Sequence, residues 1–302
     1  MTGVKTVQDY MIRATAGSGS VRIFAANTRN LVNKAAQLHK TTPVATAALG
    51  RTLTAAAMMG ATLKDDTDIL TIDIRGSGPI GGIVAVVDNK PRVKGYVFNP
   101  RAEVPNKAKG KLDVGGAVGI GVLTVTKDLG LKEPVSGQVE LVSGEIAEDI
   151  TYYFAASEQI PSSVALGVLV DVDYSVKQAG GYIIQLMPDA KEEIIAHLEE
   201  ILPTLSPVTT MLEEGKSVED ILNVIFAGYD LQVHETIFPE FCCNCSREKT
   251  EKALISLSPD ELRVILEEDK GANLHCHFCN TDYAFDEEEI TSLIDDGGTD
   301  GK

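Results

Sequence analysis

The sequence has no cysteine before residue 242. It also has no uninterrupted apolar run near the ~18 residues that a membrane helix needs, so no transmembrane span is expected. No secretory pattern opens the chain, because Asp9, Tyr10 and Arg13 interrupt any apolar stretch. The expectation is a cytosolic protein, where thiols stay reduced and clustered cysteines bind metal or sense oxidants rather than form permanent staples. A phosphate loop is missing, since Gly115 to Gly121 (GGAVGIG) lacks the Gly-Lys-Ser/Thr ending. No hydrolytic constellation is present. His39 and His197 stand singly on helix-like segments, and Asp65, Asp66 and Asp68 cluster at a helix-to-strand turn where solvated side chains are the default. These absences argue against an enzyme.

Positive charge is scarce in one part of the chain. The net charge is −17 over 302 residues; residues 1–188 carry 19 Lys/Arg against 17 Asp/Glu, whereas residues 189–302 carry 8 against 27. Such an acidic C-terminal part repels phosphate backbones and weighs against nucleic-acid binding. Much of that acidity serves solubility.

What is present divides into an N-terminal domain, a linker, a small cysteine-bearing domain and a tail. An apolar content of 44% is enough for a substantial core. Residues 1–188 read as one α+β domain. Extended segments are expected at 4–13 and 20–25, helices at about 27–40, 43–62 and 144–157. Strands are expected at 68–74, 83–87, 92–98, 119–126, 135–142, 164–173 and 181–187. Elements come in runs rather than strict alternation, which favours α+β over a doubly wound sheet. Residues 189–237 form a helical linker. Ile194, Ile195, Leu198, Ile201 and Leu202 share one helical face, and after Pro203 and Pro207 a second helix capped by Ser217 carries Val218, Ile221, Leu222 and Ile225. Helices this short are marginal alone and need a surface to lie on, which the N-terminal domain would supply. Residues 238–294 form a small domain with helices opening at Ser246 and at the capping box Ser258-Pro259-Asp260-Glu261. The tail 295–302 (DDGGTDGK) is expected to be disordered.

Gly76-Ser-Gly78-Pro-Ile-Gly81 matches the dinucleotide-binding fingerprint literally, but that fingerprint must open a helix. Pro79 and the run Ile83 to Val87 predict another strand instead, so a glycine-rich hairpin is the reading.

All five cysteines fall between residues 242 and 279. Cys243-Asn-Cys245 and Cys276-His-Phe-Cys279 put four thiolates within reach of one tetrahedral Zn2+. Cys242 is surplus to that count. His275 and His277 flank Cys276 and could each replace a cysteine, although four cysteines already fill the tetrahedron. A domain of about fifty residues with few large apolar side chains needs such a metal to stay folded. A closed, inert structural zinc site is one reading. The other is a redox switch: zinc keeps its ligands as nucleophilic thiolates, and each cysteine has a resolving partner with only one or two residues between them. Oxidation would then remove ligands, release zinc and unfold what depends on it.

The chain resembles the redox-regulated 33-kDa heat-shock holdase family of bacteria over essentially its whole length. The likeness lies in Arg75-Gly76-Ser77-Gly78-Pro79-Ile80-Gly81-Gly82, in Tyr152-Tyr153-Phe154 through Ser157-Glu158-Gln159-Ile160-Pro161, in the first cysteine pair followed by Ser246-Arg247-Glu248, and in Cys276-His277-Phe278-Cys279 with Tyr283. The resemblance implies Cys243, Cys245, Cys276 and Cys279 as ligands of one zinc per chain in a reduced, inactive form. It implies that oxidation joins Cys243 to Cys245 and Cys276 to Cys279, expels zinc, unfolds the linker and favours a homodimer that holds unfolded or partly folded client proteins without ATP. Cys242 departs from the family's four-cysteine pattern. Ile194, Leu198, Leu202, Ile221, Leu222 and Ile225 are candidates for the client-binding surface uncovered on activation. The alternative function is a static zinc module for protein interaction, and a nucleotide-dependent enzyme rests on residues 76–81 alone.

Overall fold

The structure, a computed structural model, describes residues 8–108 and 110–297. The chain divides into two compact units, one ending at Cys242 and the other starting at Cys243. In chain order the first unit contains β1 (Tyr10–Ala16), β2 (Val21–Asn27), α1 (Arg29–His39), α2 (Pro43–Gly60), β3 (Ile69–Gly76), β4 (Gly82–Asp88) and β5 (Arg92–Val97). There follow α3 (Val114–Val118), β6 (Gly121–Asp128), β7 (Val135–Glu140), α4 (Ala147–Ala156), β8 (Ser162–Val170) and β9 (Val176–Leu186). It closes with α5 (Glu192–Ile201), α6 (Val208–Glu213), α7 (Val218–Ile225), β10 (Gln232–Ile237) and β11 (Glu240–Phe241). The expected α+β class is what is found.

Two sheets, ordered β10-β1-β2-β9-β8 and β11-β5-β4-β3-β6-β7, are antiparallel except at the β11–β5 pair. Helix α2 runs through the core between them. Of its 18 residues only Pro43 and Arg51 escape burial, so the helix has no polar face. Its alanines and glycines keep it thin. A Cβ at Gly50 would lie 2.5 Å from a Val32 methyl, and one at Gly60 would lie 2.6 Å from a Val87 methyl. The buried hydroxyls of Thr52 and Thr54 donate to the carbonyls one turn back, at 2.9 and 2.7 Å.

The first sheet is covered on both faces. Met11, Phe24 and Ile183 join the core around α2, while Ile12, Ala14, Ile23, Ala25, Tyr182 and Ile184 point the other way. Against that second face lie α5, α6 and α7, contributing Ile194, Leu198, Met211, Leu212, Val218, Ile221, Leu222 and Ile225. Ser217 caps α7, with its hydroxyl oxygen 3.0 Å from the Asp220 N–H and the Asp220 carboxylate 2.9 Å from the Ser217 N–H. The linker helices thus have the surface they need.

The glycine-rich segment is a hairpin turn from β3 into β4, not the start of a helix. Its backbone packs directly on the segment after α3. Ser77 and Gly78 donate to the carbonyls of Ile120 and Val118, and a Cβ at Gly76 would fall 2.0 Å from the Val118 oxygen. The two glycine runs are there because backbone meets backbone.

The second unit holds α8 (Arg247–Ile255), α9 (Pro259–Asp269), the hairpin β12 (Gly271–Cys276) and β13 (Thr281–Asp286), and α10 (Glu287–Gly297). Its core is small, with Leu254, Leu262, Phe285, Ile290 and Leu293 buried. Helix α10 carries the chain through the first residues of the expected disordered tail; residues 298–302 lie outside the described residues, as do 4–7 of the expected first extended segment.

Candidate metal centre

Each cysteine pair is set by a local device. Cys245 directly precedes Ser246, whose hydroxyl oxygen accepts from the Lys249 N–H at 3.3 Å and caps α8. Lys249 Nζ reaches back to the Asn244 carbonyl at 2.8 Å, and Arg247 bridges to Glu289 of α10 while lying 4.3 Å over the Phe285 ring. The second pair is the turn of the β12–β13 hairpin. The N–H groups of Cys279 and Asn280 both donate to the Cys276 carbonyl, and Asn280 adopts a left-handed φ of 57° that reverses the chain.

These devices bring Cys243, Cys245, Cys276 and Cys279 together, with the four sulfurs all within 4.8 Å of one another. Cys243 Sγ lies 3.7 Å from Cys276 Sγ, and Cys245 Sγ lies 3.2 Å from Cys279 Sγ. With Zn–S bonds of about 2.3 Å, a regular tetrahedron has edges of about 3.8 Å, so the four sulfurs fit that shell. No disulfide joins them; all five thiols are free. With every separation at or below 4.8 Å, the geometry does not select one pairing over another.

The electrostatics point the same way. Burial pushes the Cys243 and Cys279 thiols up. Burial acts on Cys245 too, but hydrogen bonds with Tyr283 and the neighbouring thiols outweigh it and bring Cys245 down to about 7. The Tyr283 hydroxyl, 3.1 Å from Cys245 Sγ, is itself pushed up to about 12, first by that hydrogen bond. Thr281 Oγ1 sits 3.2 Å from Cys279 Sγ. Four adjoining thiols cannot all ionise without a cation among them, so this donor set suits a thiophilic metal held by four sulfurs.

The remaining candidates lie elsewhere. His275 and His277 stand beside each other, ring centroids 5.1 Å apart, and His275 Nδ1 is 2.7 Å from Asp282. Neither joins the four-residue cluster, nor does Cys242, whose N–H donates to the Val93 carbonyl at 2.9 Å. Of the proposed client-binding stripe, Ile194, Leu198, Ile221, Leu222 and Ile225 are buried and Leu202 is half-buried. An open apolar groove of about 410 Å³ runs between the first sheet and α5, lined by Pro161, Ile184, Leu186, Ile195, Leu198 and Leu202. Tyr283 and Thr281 are site residues that the spacing of the cysteines did not assign. The signal for Thr281 was available, since it follows Cys279 by two residues at the hairpin knuckle, whereas Tyr283 reaches Cys245 of the other pair, which chain position does not show. Among the described residues no helix is long and apolar enough to cross a membrane.

The profile of the family described as Hsp33 protein matches residues 9–286. The chain belongs to that family. Among its Hsp33 relatives, the 33 kDa chaperonin of Clostridioides difficile (strain 630) is 54% identical over 289 residues, covering 95% of this chain and 99% of that one. The 33 kDa chaperonin of Acetivibrio thermocellus is 49% identical over 288 residues, covering 95% and 97%. The crystal structure of the 33 kDa chaperonin (heat shock protein 33 homolog) from Thermotoga maritima superposes with a TM-score of 0.90 at 40% identity, covering 97% of this chain and all of that one. This Hsp33 chain is therefore similar in sequence and fold to chaperones over nearly its full length.

Proposed function

We propose that this protein is a cytosolic, ATP-independent holdase, silent when reduced and zinc-bound and switched on by oxidation. Cys243, Cys245, Cys276 and Cys279 would hold one zinc per chain, which when bound keeps the four sulfurs ionised near neutral pH. Peroxide takes two electrons from each pair. One thiolate becomes a sulfenic acid as a water leaves, and its partner condenses with it to S–S with loss of a second water. Cys243–Cys245 and Cys276–Cys279 are the proposed bonds, and each removes two of the four donors.

The observation that carries the reading is the pairing of a four-sulfur cluster with a unit whose core, among the described residues, has only five buried apolar side chains. So small a core depends on its metal. The layer α5–α7, connected to that unit through β10 and β11, buries apolar stripes that would become client-binding surface once released. The name 33 kDa chaperonin, borne by the Hsp33 relatives, supports the chaperone part of this reading. Unfolded or partly folded proteins would be the clients, held by a homodimer of the oxidised form.

The test is light scattering of a heat-denatured client with reduced and with peroxide-treated protein, alongside metal analysis and thiol counting. Suppression only by the treated form, one zinc released per chain and a fall from five free thiols to one are expected. Equal suppression by both forms, or metal retained after disulfide formation, would contradict the switch. A static zinc module, which a closed four-sulfur shell also suits, predicts the opposite sign: oxidant would destroy binding rather than create it.

A further inference from the structure

Strand β11 is only two residues long, and its pairing with β5 is the one parallel strand pair among the described residues. It is nevertheless specifically seated. The N–H groups of Glu240 and Cys242 donate to the carbonyls of Pro91 and Val93 at 3.2 and 2.9 Å, the alternate spacing of an added strand. Lys34 Nζ donates to the Phe241 carbonyl at 2.9 Å. The Phe241 side chain is 3% exposed, inserted into the inter-sheet core with the His39 ring edge-on at 6.4 Å. Beside it an open cavity of about 310 Å³ is lined by Asp9, Asn30, Leu31, Lys34, Phe238 and Phe241. Backbone bonds at alternate residues and one aromatic anchor in a pocket are the means by which sheet edges bind extended peptides.

The residue after Cys242 is Cys243, the first sulfur of the metal cluster. Joining Cys243 to Cys245 would draw two sulfurs from as much as 4.8 Å to about 2.05 Å, a change that the chain must accommodate two residues beyond the end of β11. A strand of two residues has little cooperativity with which to resist.

We infer that residues 239–242 are an internal occupant of a peptide-binding slot on the edge of β5, which oxidation empties for an extended, aromatic-bearing segment of a client protein. The occupant defines the chemistry. The slot takes an extended backbone running parallel to β5, with two N–H groups for Pro91 and Val93, a carbonyl for Lys34 and an aromatic ring in the place of Phe241. This rests on the holdase reading and deepens it, because it names one surface the client would use.

The probe is a fluorescein-labelled peptide of residues 237–242 with serine in place of the cysteine, followed by anisotropy against the full chain. Peroxide-treated wild type is expected to bind it at least tenfold more tightly than reduced wild type, and alanine at the peptide's second phenylalanine should abolish the difference. Phe241→Ala protein should bind the peptide while still reduced and metal-loaded. Should that variant fail to fold, the wild-type comparison decides alone. Equal binding by the two wild-type forms, in protein whose light-scattering activity has switched on, overturns the slot and leaves the holdase reading intact. A peptide excluded from an oxidised dimer would mean that a second copy fills the edge, and this too overturns the client assignment. If oxidised wild type shows no chaperone activity, the underlying switch fails instead, and peptide binding by reduced Phe241→Ala still judges the slot.

Discussion

Replacing Leu222 by alanine should activate the reduced protein in part. Leu222 is fully buried in the cluster that α5–α7 form with the second face of the first sheet, and it does not belong to the inter-sheet core around α2. Truncating a buried leucine costs about 2–5 kcal/mol, according to how far the site collapses. At about 3 kcal/mol, and about 1.4 kcal/mol per factor of ten, the opened form of this layer rises roughly a hundredfold. The loss acts on local opening because α7 is eight residues long and owes its stability to packing. The assay is limited proteolysis of the zinc-loaded, reduced variant, with light scattering of a denatured client in parallel. Cleavage should concentrate within 189–231, and client aggregation should fall while all five thiols remain free and the metal stays bound. Leu49→Ala provides the contrast, since Leu49 lies in α2 between the sheets and its loss should lower the stability of the whole first unit. A reduced Leu222→Ala protein as protease-resistant and as inactive as wild type would refute the idea that this layer is the conditional part of the molecule.

Weaker lesions at the start of the same helix should act in the same direction. Ser217→Ala removes the cap of α7 at a cost of about 1 kcal/mol, so the opened population should rise about fivefold, with a correspondingly smaller gain of cleavage than Leu222→Ala gives. The cap should also weaken in acid. The Ser217 N–H and hydroxyl hold the Asp220 carboxyl below its ordinary value of 3.8, so its contribution is complete above that value and is lost as pH falls through the lower folded value. Hydrogen exchange of α7 followed from pH 5 to pH 3 should show the loss in wild type and none of it in Asp220→Asn.

How much of this was legible follows from how each element earns its burial. The stripes of α5 and α7 were readable because one face is buried and the other wet, which imprints a 3.6-residue period. Helix α2 was readable as a helix from its alanines, but not as the centre of the core. A helix buried all round carries no period to say what surrounds it. Strand β10 went unread because Gln232 to Glu235 and Thr236 are exposed and, among the described residues, it pairs only with β1, so nothing in its sequence alternates with burial. Strand β11, at two residues, is shorter than any window that could reveal a pattern. Helix α10 was missed despite a usable signal: Asp286 and Glu289 form a reciprocal cap, with the Asp286 carboxylate 3.0 Å from the Glu289 N–H and the converse bond also at 3.0 Å. The four-cysteine cluster was legible in part: spacing puts two sulfurs together within each short knuckle, and the fold brings the two knuckles to one place.

Under the proposed switch, the surface to be uncovered is larger than the helical stripes. The sequence pointed to the helical stripes alone, but those stripes lie on Ile12, Ala14, Ala16, Val21, Ile23, Ala25, Tyr182 and Ile184; alternation with Arg13, Thr15 and Arg22 marks part of this set as a buried strand face but says nothing of what covers it. Lifting α5–α7 would therefore expose two apolar surfaces together, one mobile and one fixed on a sheet. They differ in what they can hold. A fixed sheet face offers a flat platform with no ordering entropy left to lose, whereas released helices must give up their new freedom each time they close on a client. If the holdase reading is right, the sheet face should supply most of the affinity and the helices most of the adaptability. Polar substitution at Ile23 or Ile184 should then weaken client capture more than the same substitution at Ile221, although each removes a side chain from the same cluster.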